Sequence, residues 1–340
     1  MCHLYKKQDI QMELQAYLSQ SQNPWFNQAI EEITFDNIEK NKLVLFIWQN
    51  RQSINIGRDQ NPWNICNTRH AHQNHVSIVR RQTPGGAIYQ DPGHTNFSLM
   101  GSTEQLSLSN IEAILQRLLT SLKINASIAQ QKEIVANNRK ISNTTSITVG
   151  DNTLIHSTIR VNTNLSVVDE YMTSNHARAL SDVIDNYSNL SELNATITHA
   201  VLQRELVNAF CRNYGCEVDT QYIQINPLPP LPGLGEKLHF ISSWDWNYGQ
   251  SPKFCRQIKG RFSWGKVTLT LQVVQGTIIH IQCHSSQRYC ALFNNFANRL
   301  IGYPYQAKSV MPVICTMMVD FSANHTELLE FANWLENELS

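Results

Sequence analysis

Residues 80–97, RRQTPGGAIYQDPGHTNF, constrain the chain more than any other stretch. Two arginines, a glycine pair, an apolar trio (Ala87, Ile88, Tyr89) and an Asp-Pro-Gly turn follow one another without a break. Adjacent glycines let the backbone take positive φ and approach a ligand with no Cβ in the way. Arginines just before such a loop bring fixed charge and forked donors suited to a carboxylate or phosphate. From these residues alone two readings stand. One is a β-hairpin turning at Thr-Pro-Gly-Gly; the other is a ligand-binding loop.

A chain of 340 residues accommodates one large domain and a smaller one, each with its own core. Lysine plus arginine equals aspartate plus glutamate at 27 each, so nothing steers the chain over long range toward nucleic acid or an anionic membrane. No run approaches the roughly 18 apolar residues of a membrane span. The start, MCHLYKKQDIQMEL, lacks the apolar core of a secretory signal. The eight cysteines show no C-x-x-C pair and read as reduced thiols, so a cytoplasmic location is expected. His70, His72 and His75 fall on a polar stretch that reads as a solvated face, and no metal site is expected there.

In chain order, residues up to Ser21 read as an extended polar lead-in, and Asn23 to Asn37 as a helix with Asn23 capping and Pro24 at its first position. Leu43 to Trp48 is a short continuous apolar run, the pattern of a strand covered on both faces. Further strands are expected at Ser53–Gly57 and Val76–Val79, with a helix from Asn61 through His75 between them. The period of Ile111, Ile114, Leu115, Leu118, Leu119 and Leu122 predicts a helix. Asn137-Asn138 predicts a two-residue hairpin between Glu133–Ala136 and Arg139–Ser142. Strands at Ile147–Val149 and Leu154–Val161 and a helix over Thr196–Tyr214 complete this part. After Gln250 the pattern becomes a three-stranded meander followed by helices at Asn294–Ile301 and Glu327–Glu338. The expected division is a large domain over residues 1–247 and a small α+β domain over 248–340.

Several segments together resemble the lipoate–protein ligase A family in wording, order and spacing. They are Asn23-Pro24-Trp25-Phe26-Asn27, Trp48-Gln49-Asn50, Ile56-Gly57-Arg58 with Asn61-Pro62-Trp63 and Cys66-Asn67, the Arg80 stretch itself, and Ser243 to Gly249. The resemblance runs from about Asn23 to Phe262 and weakly beyond. It implies a mixed α/β (α+β) catalytic domain around a central sheet, similar to biotin ligases, with a small α+β C-terminal domain. It also implies use of ATP and Mg2+ to turn lipoate, or a related acid, into an acyl-adenylate. The acyl group then passes to a lysine of a lipoyl carrier domain of the 2-oxoacid dehydrogenase or glycine-cleavage type. Such chemistry needs no enzyme nucleophile, only positioning and charge.

Carried over residue by residue, the resemblance places Arg81, Thr83, Gly85, Gly86 and Ala87 in the lipoate loop. Lys140, in Arg139-Lys140-Ile141-Ser142, becomes the adenylate-contacting catalytic residue. His156 becomes a polar group behind the substrate, and Ser181, Asp182 and Val183 the nucleotide loop. The chain also departs from the pattern. Pro84 replaces the first glycine of a triplet, and Gln90 and His94 replace a histidine and an asparagine. Asn143-Thr144-Thr145 replaces a small-residue run, Ser157 a glycine, and Ile184 an arginine; Asp182 and Asp185 stand where phosphate charge is expected. Three functions therefore remain open: ligase, transferase acting only on preformed acyl-adenylate, and a silent homologue that binds a lipoyl domain or ligand.

Overall fold

The computed structural model describes residues 12–129, 132–172 and 186–339. In chain order the strands of the large domain are β1 (Glu13–Ser19), β2 (Lys42–Trp48), β3 (Ser53–Ile56), β4 (Ser77–Arg80), β5 (Ile88–Gln90), β6 (His94–Ser102), β7 (Ser127–Ile128), β8 (Ile134–Ala136), β9 (Arg139–Lys140), β10 (Ser142–Val149), β11 (Asn152–Arg160) and β12 (Thr220–Ile223). Six of them form a mixed sheet in the order β10-β11-β6-β2-β1-β12. The fold is α+β, a large sheet-centred domain followed by a smaller one.

The apolar run in β2 has partners on both faces, as its composition demands. Leu43, Leu45 and Ile47 join a core with the helices Leu108–Ser121 and His199–Tyr214. Val44, Phe46 and Trp48 face the other way, against α1 (Pro24–Asp36) and the helix Leu234–Ser242. Asn23 caps α1 by accepting from the backbone N–H groups of Trp25 and Phe26. Phe26 and Ile30 of that helix are fully buried, roughly 1.5–3 kcal/mol of stabilisation each.

The structure corrects several sequence readings. The polar lead-in contains β1, a strand inside the sheet: Leu14 and Ala16 alternate inward between polar residues and are buried. The segment after Asn61 is two helices, Pro62–Ile65 and Thr68–Gln73, because Asn67 caps a second start just after the first ends at Cys66. Helices at Leu234–Ser242 and Val310–Asp320 went unread, the second because Pro312 and a nearly all-apolar sequence blur its period. The hairpin reading of the glycine stretch is wrong. β4 pairs parallel with one side of β3 and β5 antiparallel with the other, so the loop between them crosses over β3.

The C-terminal part has its own core. Strands β13 (Phe254–Phe262), β14 (Gly265–Val274) and β15 (Thr277–His284) form the expected antiparallel meander, backed by helices Cys290–Leu300, Val310–Asp320 and His325–Leu339. Trp63 reaches into this core from the large domain and packs on Phe254, Tyr305 and Tyr248. Among the described residues no helix is long and apolar enough to cross a membrane.

Candidate active site

One wall of a cleft is the loop after β4. Gly57, at the end of β3, lies under it: a Cβ there would stand 2.0 Å from the Gly85 carbonyl oxygen. Gly85 itself has φ +109°, a conformation open to glycine and strained for other residues. Arg81 is buried beneath the loop and donates to Thr83 Oγ1 (3.1 Å) and to the carbonyls of Asn55 (3.1 Å), Pro84 (3.0 Å) and Gly86 (2.8 Å). Burial pulls its guanidinium down to about 10, so it stays charged at neutral pH. Arg81 thus shapes the loop from below, with Thr83 as a prop.

Arg80 points the opposite way and anchors the wall. Its fully buried guanidinium donates to the carbonyls of Arg58 (2.6 Å), Gln60 (2.8 Å), Trp246 (2.9 Å) and Asn247 (2.9 Å). In return Trp246 Nε1 donates to the Arg80 carbonyl, and Asn247 Oδ1 accepts its N–H. The tryptophan-rich segment near residue 245 is therefore a clamp on the base of the loop.

The second wall comes from β8 to β11. Asn137 and Asn138 take φ of 50° and 62°, giving the tight turn read from the sequence and presenting Lys140 beside Glu133. Lys140 Nζ lies 2.6 Å from Glu133 Oε2; the lysine side chain is 43% exposed and the carboxylate 8%. Along β11 the two-residue period puts His156, Thr158 and Arg160 on one side. His156 Nδ1 lies 2.7 Å from Glu31 Oε1, whose carboxylate also accepts from Ser98 and Gln28. Thr158 donates to Asn96, and Gln90 ties both into a buried polar network.

Farther along β11, Arg160 Nη2 donates to Asn143 Oδ1 (2.5 Å), and its guanidinium lies over the Tyr187 ring at 4.1 Å. Arg160 Nη1 is buried and has no hydrogen-bond partner among the described residues. Burial brings the guanidinium down to about 10. His94, directly opposite Arg160 across the β6–β11 pair, holds Nδ1 within reach of Asp91 and Thr163, and its Nε2 has no partner among the described residues. Burial pushes the His94 imidazolium below the usual histidine range, with Asp91 partly opposing it.

The walls enclose about 740 Å³. Ala87, Ile88, Val135, Leu165, Val168 and Met172 give the lining its apolar side chains, and Ala87, Val168 and Met172 pack against one core. Of the residues named from sequence, Arg81, Gly85, Gly86, Ala87, Lys140 and His156 line this space and Thr83 does not. Ser181, Asp182 and Val183, with Ile184 and Asp185, lie outside the described residues. Sequence reasoning missed Glu133 and Arg160. The two-residue period from His156 reaches Arg160 and was the available signal; nothing local marks Glu133 as the partner of Lys140.

Residues 23–211 match the family model of the lipoyl protein ligase A/B catalytic domain. Residues 251–335 match that of the bacterial lipoate protein ligase C-terminus. Among solved structures, the P. falciparum LipL1 in complex with lipoate is 28% identical, with a TM-score of 0.63 over 95% of this chain and 99% of that one. A Thermoplasma acidophilum bipartite lipoate protein ligase, with its E2 lipoyl domain, is 18% identical and gives 0.61 over 70% of this chain and 97% of that one. A lipoate-protein ligase A bound with ATP is 18% identical and gives 0.60 over 70% and 100%.

Proposed function

The chain belongs to the lipoyl protein ligase A/B catalytic domain family, and on that premise we propose that it activates lipoate with ATP and transfers the lipoyl group to a carrier lysine. The observation that carries this reading is the cleft. The glycine loop and Lys140 line the same space, and among the described lining residues three cations (Arg81, Lys140, Arg160) stand against one carboxylate, Glu133. That balance suits a substrate that brings a carboxylate and phosphates together. A volume of about 740 Å³ suits a ligand of drug size or above.

In this reading the acid lies along Gly85, Gly86 and Ala87, its carboxylate directed at the α-phosphorus of ATP. Attack forms the acyl–phosphate bond and expels pyrophosphate. The carrier lysine then attacks the acyl carbon and AMP leaves. Lys140 Nζ has three donors, of which Glu133 takes one, so it can meet the adenylate without leaving its partner. The His156–Glu31 pair holds the imidazole in one orientation at the cleft wall. Glu133 is the one described lining carboxylate and is engaged by Lys140, so the described residues supply no ligand cage for a metal. Mg2+ enters this reading as the counter-ion of the nucleotide. The acceptor is a lipoyl domain, a reading supported by the family. The proposed catalytic unit is residues 1–247, and residues 248–340, with a core of their own, form an accessory domain.

The test is mass spectrometry of a purified lipoyl domain incubated with the protein. Lipoate plus ATP is expected to add one lipoyl group per domain. Addition from preformed lipoyl-adenylate alone would leave a transferase; addition from neither overturns the reading.

A further inference from the structure

We propose that Arg160 binds the α-phosphate of the nucleotide, the point at which acyl group and adenosine are joined; this rests on the activation chemistry proposed above. Arg160 is 5% exposed, lines the cleft and carries a full charge there. A buried cation is costly unless hydrogen bonds and an opposite charge compensate it. Among the described residues Arg160 has Asn143 Oδ1 on Nη2, the Tyr187 ring against its plane, and no partner on Nη1. The one described carboxylate of the cleft, Glu133, is held at 2.6 Å by Lys140. Glu133 and Tyr187 favour the Arg160 charge only from a distance, and among the described residues no anion hydrogen-bonds it; the ligand proposed for this cleft brings one.

Its neighbours narrow the assignment. His94 faces it across the strand pair with an unpartnered Nε2, but burial keeps that ring neutral, so the charge at this spot is the arginine's. Lys140 already shares its charge with Glu133, and Arg81 gives its donors to Thr83, two loop carbonyls and the Asn55 carbonyl of β3. Arg160 is therefore the cleft cation with the most unspent capacity. The sequence has Ile184 where the family carries an arginine, and a second route to phosphate charge is consistent with that loss.

The experiment compares adenosine with AMP by titration calorimetry, so that the phosphate is the only difference between probes. Wild type is expected to bind AMP at least about tenfold tighter than adenosine. In Arg160→Gln that preference should fall toward unity while adenosine affinity stays within twofold. Arg160→Lys, which keeps the charge without the fork, should retain part of it. An Arg160→Gln protein that keeps the wild-type ratio overturns this role and leaves the activation reading intact. A loss of adenosine affinity equal to that of AMP also overturns it, since Arg160 would then support the fold or the base. Wild type that takes lipoate but neither nucleotide probe removes the activation reading itself, and this role with it.

Discussion

The two walls of the cleft hold their arginines on different terms. On the loop wall, Arg80 and Arg81 spend their N–H groups on carbonyl and hydroxyl oxygens of their own surroundings. On the opposite wall, Arg160 has one side-chain hydrogen-bond acceptor and an idle Nη1, and Lys140 a single carboxylate. The first wall uses charge to fix a shape; the second leaves donor capacity open to the cleft, as the proposed ligand roles require. A pair of arginines beside a glycine loop invites the reading that they grip the substrate. Here they grip the loop, and the cations with free capacity come from a strand and a hairpin nearly sixty residues or more further along the chain.

That contrast can be broken by mutation. The largest effect on stability is expected at Arg80. Arg80→Ala removes a fully buried side chain and the donor of four backbone carbonyls, and should cost about 3 kcal/mol or more in denaturant unfolding. A loss below about 1 kcal/mol would show that the loop wall does not depend on its anchor. Gly57→Ala comes next, because the new Cβ would press on a backbone oxygen of the loop rather than on a flexible side chain. About 1–3 kcal/mol of destabilisation is expected, with weaker lipoate binding in a thermal-shift titration. Unchanged lipoate binding would separate the loop from the acid site.

Lys140→Ala should act the other way round, with acyl transfer lost and little stability lost. Its side chain is 43% exposed, but its removal takes from the buried Glu133 the cation that pairs with it, so about 1 kcal/mol is expected. Adding Glu133→Gln should restore that stability and not the transfer. Transfer at the wild-type rate in Lys140→Ala would remove Lys140 from the site. Pro84→Gly should be the mildest. The feature of Pro84 that the loop uses is its carbonyl, which accepts from Arg81 Nη2 and Thr145 Oγ1 and survives the change. A loss of about 0.4–1 kcal/mol through the more flexible unfolded chain is expected, with lipoate binding retained or tightened. A fall in lipoyl-adenylate affinity would instead mean that the proline preorganises the loop for its ligand.

Much of the fold was legible because the deciding signals are local. The β2 run, the Asn23 cap, the Asn137-Asn138 turn and the β13–β15 meander each follow from a few adjacent residues. β1 was not legible, since its inward residues alternate with glutamate, glutamine and tyrosine in a stretch that reads as polar. The site divides in the same way. The glycine loop and Lys140 stand in recognisable wording, so they could be named. What Arg81 does could not, because its acceptors are backbone carbonyls, which leave no mark in a sequence. The Lys140–Glu133 pair forms only when the hairpin closes, and Arg160 gains its setting from strands β6 and β10 on either side of β11.

The most direct test of the account is lipoate-dependent exchange of labelled pyrophosphate into ATP, measured for wild type and for Lys140→Ala. The account predicts exchange by wild type that requires lipoate and disappears in the variant. Wild type that binds lipoate and ATP yet exchanges nothing, or a variant that exchanges as fast as wild type, would contradict it.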